Sequence, residues 1–207
     1  DAVSVNIADK QLCPRYTAAV INGIKVTDSP SWLKERLESI GQKSINNIVD
    51  ATNYVMFSLG QPLHAFDLGK LIEKNGSHAI LVRNSKTGEK MEALDGKIYA
   101  LPADTLVITD ENCKDNKILG IAGVKGGTAA EISADTTDIL IESANFDPVK
   151  IRNTAKVLGL RTDASLRFEN GITPELTIEA TQDVCELIVQ IAGGMINALV
   201  DERLPQK

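Results

Sequence analysis

The stretch Asp138-Ile139-Leu140-Ile141-Glu142 is a short apolar run that ends on a carboxylate. Three consecutive large aliphatic side chains with no polar residue between them predict a strand that is buried on both faces. A carboxylate directly after such a strand is costly unless it accepts hydrogen bonds or has a cationic partner. The run therefore predicts a strand inside a core and a polar group, Glu142, that needs a partner.

Other strand-like runs surround this one between residues 79 and 144. Turn signals at Asp95-Gly96 and Asp115-Asn116 separate several of them. An earlier strand region at 16–26 has a turn near Asn22-Gly23. The predicted strands within 79–144 lie at 80–82, 97–101, 106–108, 118–122 and 139–141.

Helical patterns flank these strands instead of alternating with them. In the second helix, a stripe from Ile45 to Leu59 repeats at helical spacing, with Ser44 as its predicted cap. Clustered strands between helices predict an α+β fold with mixed or antiparallel sheet layers and flanking helices, not a doubly wound sheet. The four predicted helices lie between Ser29 and Gly41, Ser44 and Gly60, Asp147 and Gly159, and Thr173 and Gly193.

Composition narrows the classes of function. With 207 residues, 43% of them hydrophobic, the chain can bury a substantial core as one large domain or two intertwined small ones. It has no apolar run of membrane-spanning length, and its first residues lack the features of a signal peptide, so we expect a cytoplasmic protein without a membrane partner. Because the first residue is not Met, we expect residues 1–207 to be a fragment of a longer subunit.

Charge and ligand-type residues argue against two common kinds of site. A net charge of −6 disfavours a general nucleic-acid binder, so any contact with RNA is expected to be narrow. Three cysteines lie far apart, and the two histidines have no ligand at metal-binding spacing. We therefore expect neither disulfide bonds nor a metal site.

The segment 120–127 is rich in glycine but fits neither a P-loop nor a dinucleotide fingerprint. It predicts a tight connection between strands, in which glycine supplies positive φ angles. The same lack of side chains would let backbone N–H groups approach a ligand and donate to a developing oxyanion. Both interpretations stay open on the sequence alone.

Several polar residues also allow two interpretations. His64 lies in an apolar loop after the second helix and is either a hydrogen-bonded structural residue or a catalytic one; no nucleophile motif accompanies it. Asn53 lies at the border of the helical stripe, where it either caps a strand edge or faces a pocket. Glu142 either forms an internal salt bridge with Arg161 or Arg167, or lines a pocket; the polar segment 161–169 is either a connector between helices or a pocket wall.

Several blocks of sequence together cover nearly the whole chain. They are Cys13-Pro14-Arg15-Tyr16, the segments 44–55 and 60–67, Ala122-Gly123-Val124-Lys125-Gly126-Gly127, Ile141-Glu142-Ser143-Ala144 and Arg161-Thr162-Asp163-Ala164-Ser165. In these blocks and in their order, the chain resembles the B3/B4 region of phenylalanyl-tRNA synthetase beta subunits.

The resemblance implies a hydrolytic site that cleaves tyrosine from mischarged tRNA(Phe), whereas aminoacylation belongs to the alpha subunit. It implies that Glu142 accepts a hydrogen bond from the tyrosine hydroxyl and that Ala164 leaves space for the ring. His64 would position a water molecule, and N–H groups near Gly126 would stabilise the oxyanion. Thr52 and Asn53 would hold the terminal adenosine or the amino group, and Thr162 would complete the pocket wall.

The implied partners are the aminoacylated 3′ end of tRNA(Phe), the alpha subunit and the rest of the beta subunit, in an α2β2 heterotetramer. The resemblance implies no cofactor in this fragment, whereas the whole ligase uses ATP and Mg2+. Two other interpretations remain: a non-catalytic scaffold or tRNA-binding module of the same subunit, and a free-standing relative that acts on another ligand. A Glu142 held in a salt bridge, with no open cavity, would favour the scaffold.

Overall fold

The structure, a computed structural model, describes residues 2–204. It is an α+β fold, as predicted, with five α-helices in the described part. The helices are α1 (Ser31–Ser39), α2 (Asn47–Leu59), α3 (Pro148–Leu158), α4 (Asp163–Glu169) and α5 (Leu176–Ala192). The strands are β1 (Val3–Ile7), β2 (Arg15–Asn22), β3 (Leu63–Asp67), β4 (His78–Asn84), β5 (Lys90–Glu92), β6 (Ile98–Ala100), β7 (Leu106–Asp110), β8 (Ile118–Ile121), β9 (Lys125–Gly126), β10 (Asp138–Asn145) and β11 (Met195–Arg203).

Two sheets form the body of the molecule. The first has the order β1-β4-β7-β8-β9; β1 and β4 are parallel, and the other pairs are antiparallel. The second has the order β11-β2-β10-β3 and is antiparallel throughout. A small hairpin, β5-β6, lies outside both.

Strand β10 is buried on both faces, which explains its unbroken apolar sequence. Leu140 and Ala144 belong to the core between the two sheets, whereas Ile139 and Ile141 belong to the core under the helices. Successive side chains of a strand point to opposite faces. Glu142 therefore lies on the face that meets the other sheet.

Helices α2 and α5 cover the opposite face of the second sheet. Ile48, Ala51 and Val55 of α2 and Val184 and Ile188 of α5 pack in the same core as Ile139 and Ile141. Most of the helical stripe of the sequence is this packed face, but Ile45, its predicted first member, precedes α2 and is exposed. No helix in residues 2–204 combines the length and the apolar character needed to cross a bilayer.

The start of α2 differs from the prediction. Asn46, not Ser44, is its cap, and the Asn46 side chain accepts hydrogen bonds from the N–H groups of Ile48 and Val49. The end agrees with the prediction, since Gly60 has the left-handed conformation, φ 87°, that favours glycine. The starts of α1 and α5 also shift, to Ser31 and Leu176.

The two predicted caps, Ser29 and Ser44, instead bind one buried carboxylate. Asp50 accepts hydrogen bonds from Ser29 Oγ at 2.6 Å, from Ser44 Oγ at 2.5 Å and from the Ile45 N–H at 2.9 Å. Asp50 is completely buried. A buried carboxylate is stable only when donors surround it, so this cluster fixes the α1–α2 connection against the core.

Six of these helices and strands were not predicted, namely β1, β3, β5, β9, β11 and α4. Strand β1 has the alternating pattern of a half-buried strand, and the edge strand β11 follows the helix predicted as the last element. Strand β3 occupies the segment predicted as a loop around His64. Segment 161–169 is not only a connector, because Asp163–Glu169 forms α4, with a capping box between Thr162 and Ser165.

We predict that Asp50→Ala lowers the free energy of unfolding by about 2–4 kcal/mol, because it removes the acceptor of the buried Ser29 hydroxyl and of two partly buried donors, the Ser44 hydroxyl and the Ile45 N–H. Urea denaturation of the chain measures this. Asp28→Ala is the matched control: Asp28 has an exposed side chain and only a 3.5 Å ion pair with Lys34, so the change should stay within about 0.5 kcal/mol. Equal effects of the two substitutions would contradict the role given to Asp50.

Candidate functional site

A cavity of about 90 Å³ opens between the two sheets. It is large enough for several water molecules or a small part of a ligand. Its walls come from β3, the β8–β9 hairpin, β10 and α4, and they are mostly apolar. The lining residues are Pro62, Leu63, His64, Phe66, Ile108, Gly120, Ile121, Gly123, Val124, Lys125, Gly126, Glu142, Ala164 and Phe168.

Glu142 is the buried acid of this cavity. It lies in the middle of β10, opposite Ala18 of β2 and His64 of β3. Its side chain is only 7% exposed, and Oε2 is shielded without a hydrogen-bond partner in residues 2–204. Burial raises the pKa of Glu142 from its ordinary value of 4.5 to about 8. At neutral pH the carboxyl is therefore mostly protonated and retains an unused acceptor.

The salt-bridge interpretation of Glu142 is wrong for both arginines proposed. Arg161 pairs with Glu169 at 3.6 Å, and Arg167 pairs with Asp163 at 3.5 Å while it also lies over the Phe57 ring. Both arginines therefore bind groups within or beside α4. Glu142 remains as a pocket residue.

His64 faces Glu142 across the β3–β10 pair, on the same face of the sheet. Side chains at directly opposite positions lie about 4.5–5.5 Å apart at Cβ. The imidazole packs edge-on against Phe66, with 4.6 Å between ring centroids. Desolvation by burial lowers the pKa of His64 to about 4, so the ring is neutral at pH 7 and one nitrogen is an acceptor.

Gly126 closes the cavity opposite His64. A Cβ atom at this position would lie 2.7 Å from His64 Cε1, so a side chain would displace the imidazole. The Gly127 N–H donates to the Leu119 carbonyl at 2.8 Å within the hairpin. Because hydrogen bonding alternates along an antiparallel pair, the Gly126 N–H points away from β8 and is outside that ladder.

The α4 wall contains Ala164, whose contact with a ligand stays a prediction, and Phe168, which sequence analysis did not single out. Thr162 does not line it. Its hydroxyl donates to the Val124 carbonyl at 2.9 Å and accepts from the Ser165 N–H at 3.1 Å. Thr162 therefore fastens α4 to the glycine-rich hairpin and shapes the wall indirectly.

Thr52 and Asn53 lie on α2 and are not among the residues that line the cavity. The Thr52 hydroxyl donates to the Val49 carbonyl at 2.7 Å, and Asn53 is half-buried. The structure thus brings together His64, Gly126, Glu142 and Ala164, and it separates them from these two residues. Ligand contacts of Thr52 and Asn53 stay a prediction.

Sequence analysis also missed Lys125, which borders the cavity and pairs with Asp95 at 3.5 Å. Its position inside the glycine-rich segment was the available signal. In the described part of the chain, no three His, Cys, Asp or Glu side chains are grouped so that they could hold a metal ion. The expectation that the site needs no metal stays a prediction.

Comparison with known proteins gives matches along the whole chain. Residues 12–193 match the family model described as the B3/4 domain. The phenylalanine–tRNA ligase beta subunit of Dehalococcoides mccartyi (strain ATCC BAA-2266 / KCTC 15142 / 195) is 44% identical over 207 residues, which is 100% of this chain and 25% of the relative. The beta subunit of Syntrophus aciditrophicus (strain SB) is 48% identical over 195 residues, 94% of this chain and 23% of the relative.

A solved structure is also similar in fold. It is the crystal structure of an N-terminal fragment of the phenylalanyl-tRNA synthetase beta subunit from Pyrococcus horikoshii, with a TM-score of 0.61 and 12% identity. The match covers 95% of this chain and 50% of that fragment, and at this identity it shows the fold alone. The chain spans about a quarter of the length of the curated relatives it matches.

The raised pKa of Glu142 makes stability depend on pH. A carboxyl whose pKa is raised by folding favours the folded state fully below about pH 4.5, and this contribution is lost as the pH rises through about 8. We predict that Glu142→Gln gains stability relative to the parent chain over this window, by about 5 kcal/mol in total, since each unit of pKa shift corresponds to about 1.4 kcal/mol. Thermal unfolding of both chains from pH 4 to 9 measures the difference.

Glu131→Gln is the control for this titration, because Glu131 is exposed and lies outside the cavity. Its melting temperature should follow that of the parent chain at every pH. A difference between Glu142→Gln and the parent chain that stays constant from pH 4 to 9 would show that Glu142 does not ionise in this range.

Proposed function

The chain belongs to the B3/4 domain family, and from this premise we propose that it is the editing module of a phenylalanine–tRNA ligase beta subunit. In this proposal the cavity admits tyrosine that has been attached to tRNA(Phe) and hydrolyses its ester bond. A water molecule attacks the ester carbonyl, the bond to the terminal ribose breaks, and a proton passes to the departing oxygen. The products are tyrosine and uncharged tRNA.

The observation that carries the proposal is the Glu142 carboxyl, which lines a mostly apolar cavity and forms no salt bridge among the described residues. A hydroxyl at the far end of a substrate side chain would donate to the carboxyl oxygen that faces the cavity. In either protonation state, the carboxyl offers an oxygen that can accept from this hydroxyl. Tyrosine differs from phenylalanine by this group alone.

The same feature would exclude the correct product. A phenylalanyl side chain would shield the Glu142 carboxyl from water and give it no donor, at a cost of about 1–3 kcal/mol. A site built to bind a hydroxyl rejects a ligand that lacks it far better than an apolar pocket rejects an added hydroxyl. Editing at Glu142 would therefore correct an error that the synthetic site is poorly able to prevent.

The chemistry would rest on positioning. A pKa of about 4 makes His64 a weak base at pH 7, but its neutral ring can accept a hydrogen bond and orient the attacking water. The Gly126 N–H lies outside the β8 ladder and is the candidate donor to the oxyanion. An activated ester needs little more than a well-placed water and charge stabilisation.

The remaining predicted residues would act around this centre. Ala164 is a small wall residue beside the space for the substrate ring, and Thr162 holds that wall in place. Thr52 and Asn53 lie on α2, whose chain runs through Gly60 and Pro62 into the cavity wall. Outside the cavity, they would contact the terminal adenosine rather than the amino acid.

Partners follow from the proposed reaction. The tRNA 3′ end would enter the cavity, while the rest of the beta subunit and the alpha subunit would hold the tRNA body and form the synthetic site in an α2β2 assembly. ATP and Mg2+ would serve aminoacylation, since hydrolysis of an ester requires neither. The cytoplasm is the compartment where such a ligase would act.

The scaffold interpretation is weaker. It would be favoured by a Glu142 held in a salt bridge and by the lack of an open cavity. In the described residues Glu142 has no ion pair, and it lines a cavity of about 90 Å³. A purely structural module has no use for a buried carboxyl that weakens its stability at neutral pH.

We predict that Glu142→Ala in the intact ligase loses its preference for tyrosyl-tRNA(Phe) over phenylalanyl-tRNA(Phe) by about 5–150-fold, which corresponds to the 1–3 kcal/mol above. Deacylation of both aminoacyl-tRNAs measures the ratio. Glu131→Ala, outside the cavity, should keep the parent ratio. Unchanged discrimination in Glu142→Ala would support the scaffold interpretation.

We further predict that deacylation has no inflection near the ordinary histidine pKa of about 6.5, because His64 is already neutral there. His64→Ala should lower the rate of tyrosyl-tRNA hydrolysis by about 10–100-fold through loss of water positioning. Rates from about pH 5.5 to about 7 test both points. An inflection near 6.5 that disappears in His64→Ala would instead make His64 a titrating general base.

A further inference from the structure

Tyr16 is a buried tyrosine that the proposed reaction does not use. It lies on β2, one of the two neighbours of β10, and pairs with Ala144. Because Glu142 is two residues from Ala144, the side chains of Tyr16 and Glu142 lie on the same face as diagonal neighbours. Tyr16 is 0% exposed and belongs to the core between the sheets. It therefore lies beside Glu142, across β10 from His64.

Both groups have unused hydrogen-bonding capacity. Tyr16 Oη and Glu142 Oε2 are each shielded and have no hydrogen bond of good geometry among the described residues. They are nevertheless close: Glu142 raises the pKa of Tyr16, after the larger effect of burial, and contact with the Tyr16 hydroxyl lowers the pKa of Glu142 against the larger, opposite effect of burial. Two adjacent buried groups, one a donor and one an acceptor, each destabilise the fold if they stay unpaired.

Few other side chains could form a hydrogen bond with the Glu142 carboxyl. His64 faces it from β3, and Ala18 faces it from β2. Cys13, just before β2, has a buried thiol that contacts the Arg15 carbonyl at 3.6 Å. Lys125 borders the cavity but is paired with Asp95. Among these neighbours, Tyr16 is therefore the residue whose hydroxyl can donate to Glu142 Oε2.

We propose that Tyr16 is a positioning residue, whose hydroxyl donates to Glu142 Oε2 and directs Oε1 at the substrate hydroxyl. The proposal rests on the proposed function, in which Glu142 recognises tyrosine. The substrate hydroxyl, the carboxyl and the Tyr16 hydroxyl then form a continuous chain of hydrogen bonds. Such a chain fixes the carboxyl in one orientation, so less freedom is lost when the substrate binds.

The first test does not depend on catalysis. Tyr16→Phe removes only the hydroxyl, so we expect the pKa of Glu142 to rise by about one pH unit, because a donor to the ionised form is lost. Carbon-13 NMR titration of the glutamate side chains of the chain measures this, with the Glu142 signal assigned by its absence in Glu142→Gln. Tyr54→Phe is the control, since the Tyr54 hydroxyl accepts from Arg36 on the surface of α2.

The second test is selectivity in the intact ligase. Tyr16→Phe should lower the ratio of kcat/KM for tyrosyl-tRNA(Phe) over phenylalanyl-tRNA(Phe) by about tenfold, mainly through a higher KM for the tyrosyl substrate. In a Glu142→Gln background the same change should alter the ratio by less than about twofold, because the two residues act as one unit. Tyr54→Phe should leave the ratio unchanged in both backgrounds.

The outcomes separate this inference from the function on which it rests. An unchanged Glu142 titration in Tyr16→Phe, or additive effects in the double variant, overturns the positioning role and leaves editing intact. Failure of the parent ligase to discriminate between the two aminoacyl-tRNAs overturns the proposed function, and with it the role of Tyr16 in recognition. A raised Glu142 pKa together with a non-additive loss of selectivity supports both.

Discussion

Strand β10 is paired along both edges and buried on both faces, and this double constraint sets the position of the rest of the site. Its apolar side chains alternate between two cores, so the register cannot slip by one residue without exposing one core and burying polar groups in the other. The same alternation places Glu142 between the sheets. The two neighbouring strands, β2 and β3, then place Tyr16 and His64 on opposite sides of Glu142.

At the candidate site, burying polar groups lowers the stability of the fold but strengthens the hydrogen bonds that these groups can form. An apolar surround makes a carboxyl without a partner costly, and it also makes any partner that arrives bind more strongly. Burial also lowers the pKa of His64, so the imidazole stays neutral at pH 7. The first sheet and α4 exclude water, whereas β10 and β3 carry the polar groups.

Sequence patterns predicted the elements whose local signals agree with their tertiary setting. The apolar run of β10, the stripe of α2 and the glycine that ends α2 all belong to this group. Strand β3 was missed because glycine and proline before His64 indicate a loop, whereas pairing with β10 imposes a strand. Ser29 and Ser44 were misassigned as caps because the competing acceptor, Asp50, is formed only by the fold.

The composition of the site was predictable in part for the same reason. The unbroken apolar run indicated Glu142 and the glycine-rich segment indicated Gly126, whereas Ala164 was implied only by the family resemblance; the structure places all three in the cavity wall with His64. Helical periodicity gives the face of α2 on which Thr52 and Asn53 lie, but not the side of the sheet that α2 covers. Tyr16 gave no local signal, since its importance arises from a diagonal contact between strands far apart in sequence.

The close approach of Gly126 to His64 determines how the cavity could change shape. A methyl group at 126 would lie 2.7 Å from the imidazole, so the ring and any side chain at 126 are alternatives for one volume. No free space separates the two positions, so position 126 can accept a larger residue only if the side chain at position 64 becomes smaller. A larger cavity would therefore have to be created at the α4 wall, by moving the helix that Thr162 holds against the glycine-rich hairpin.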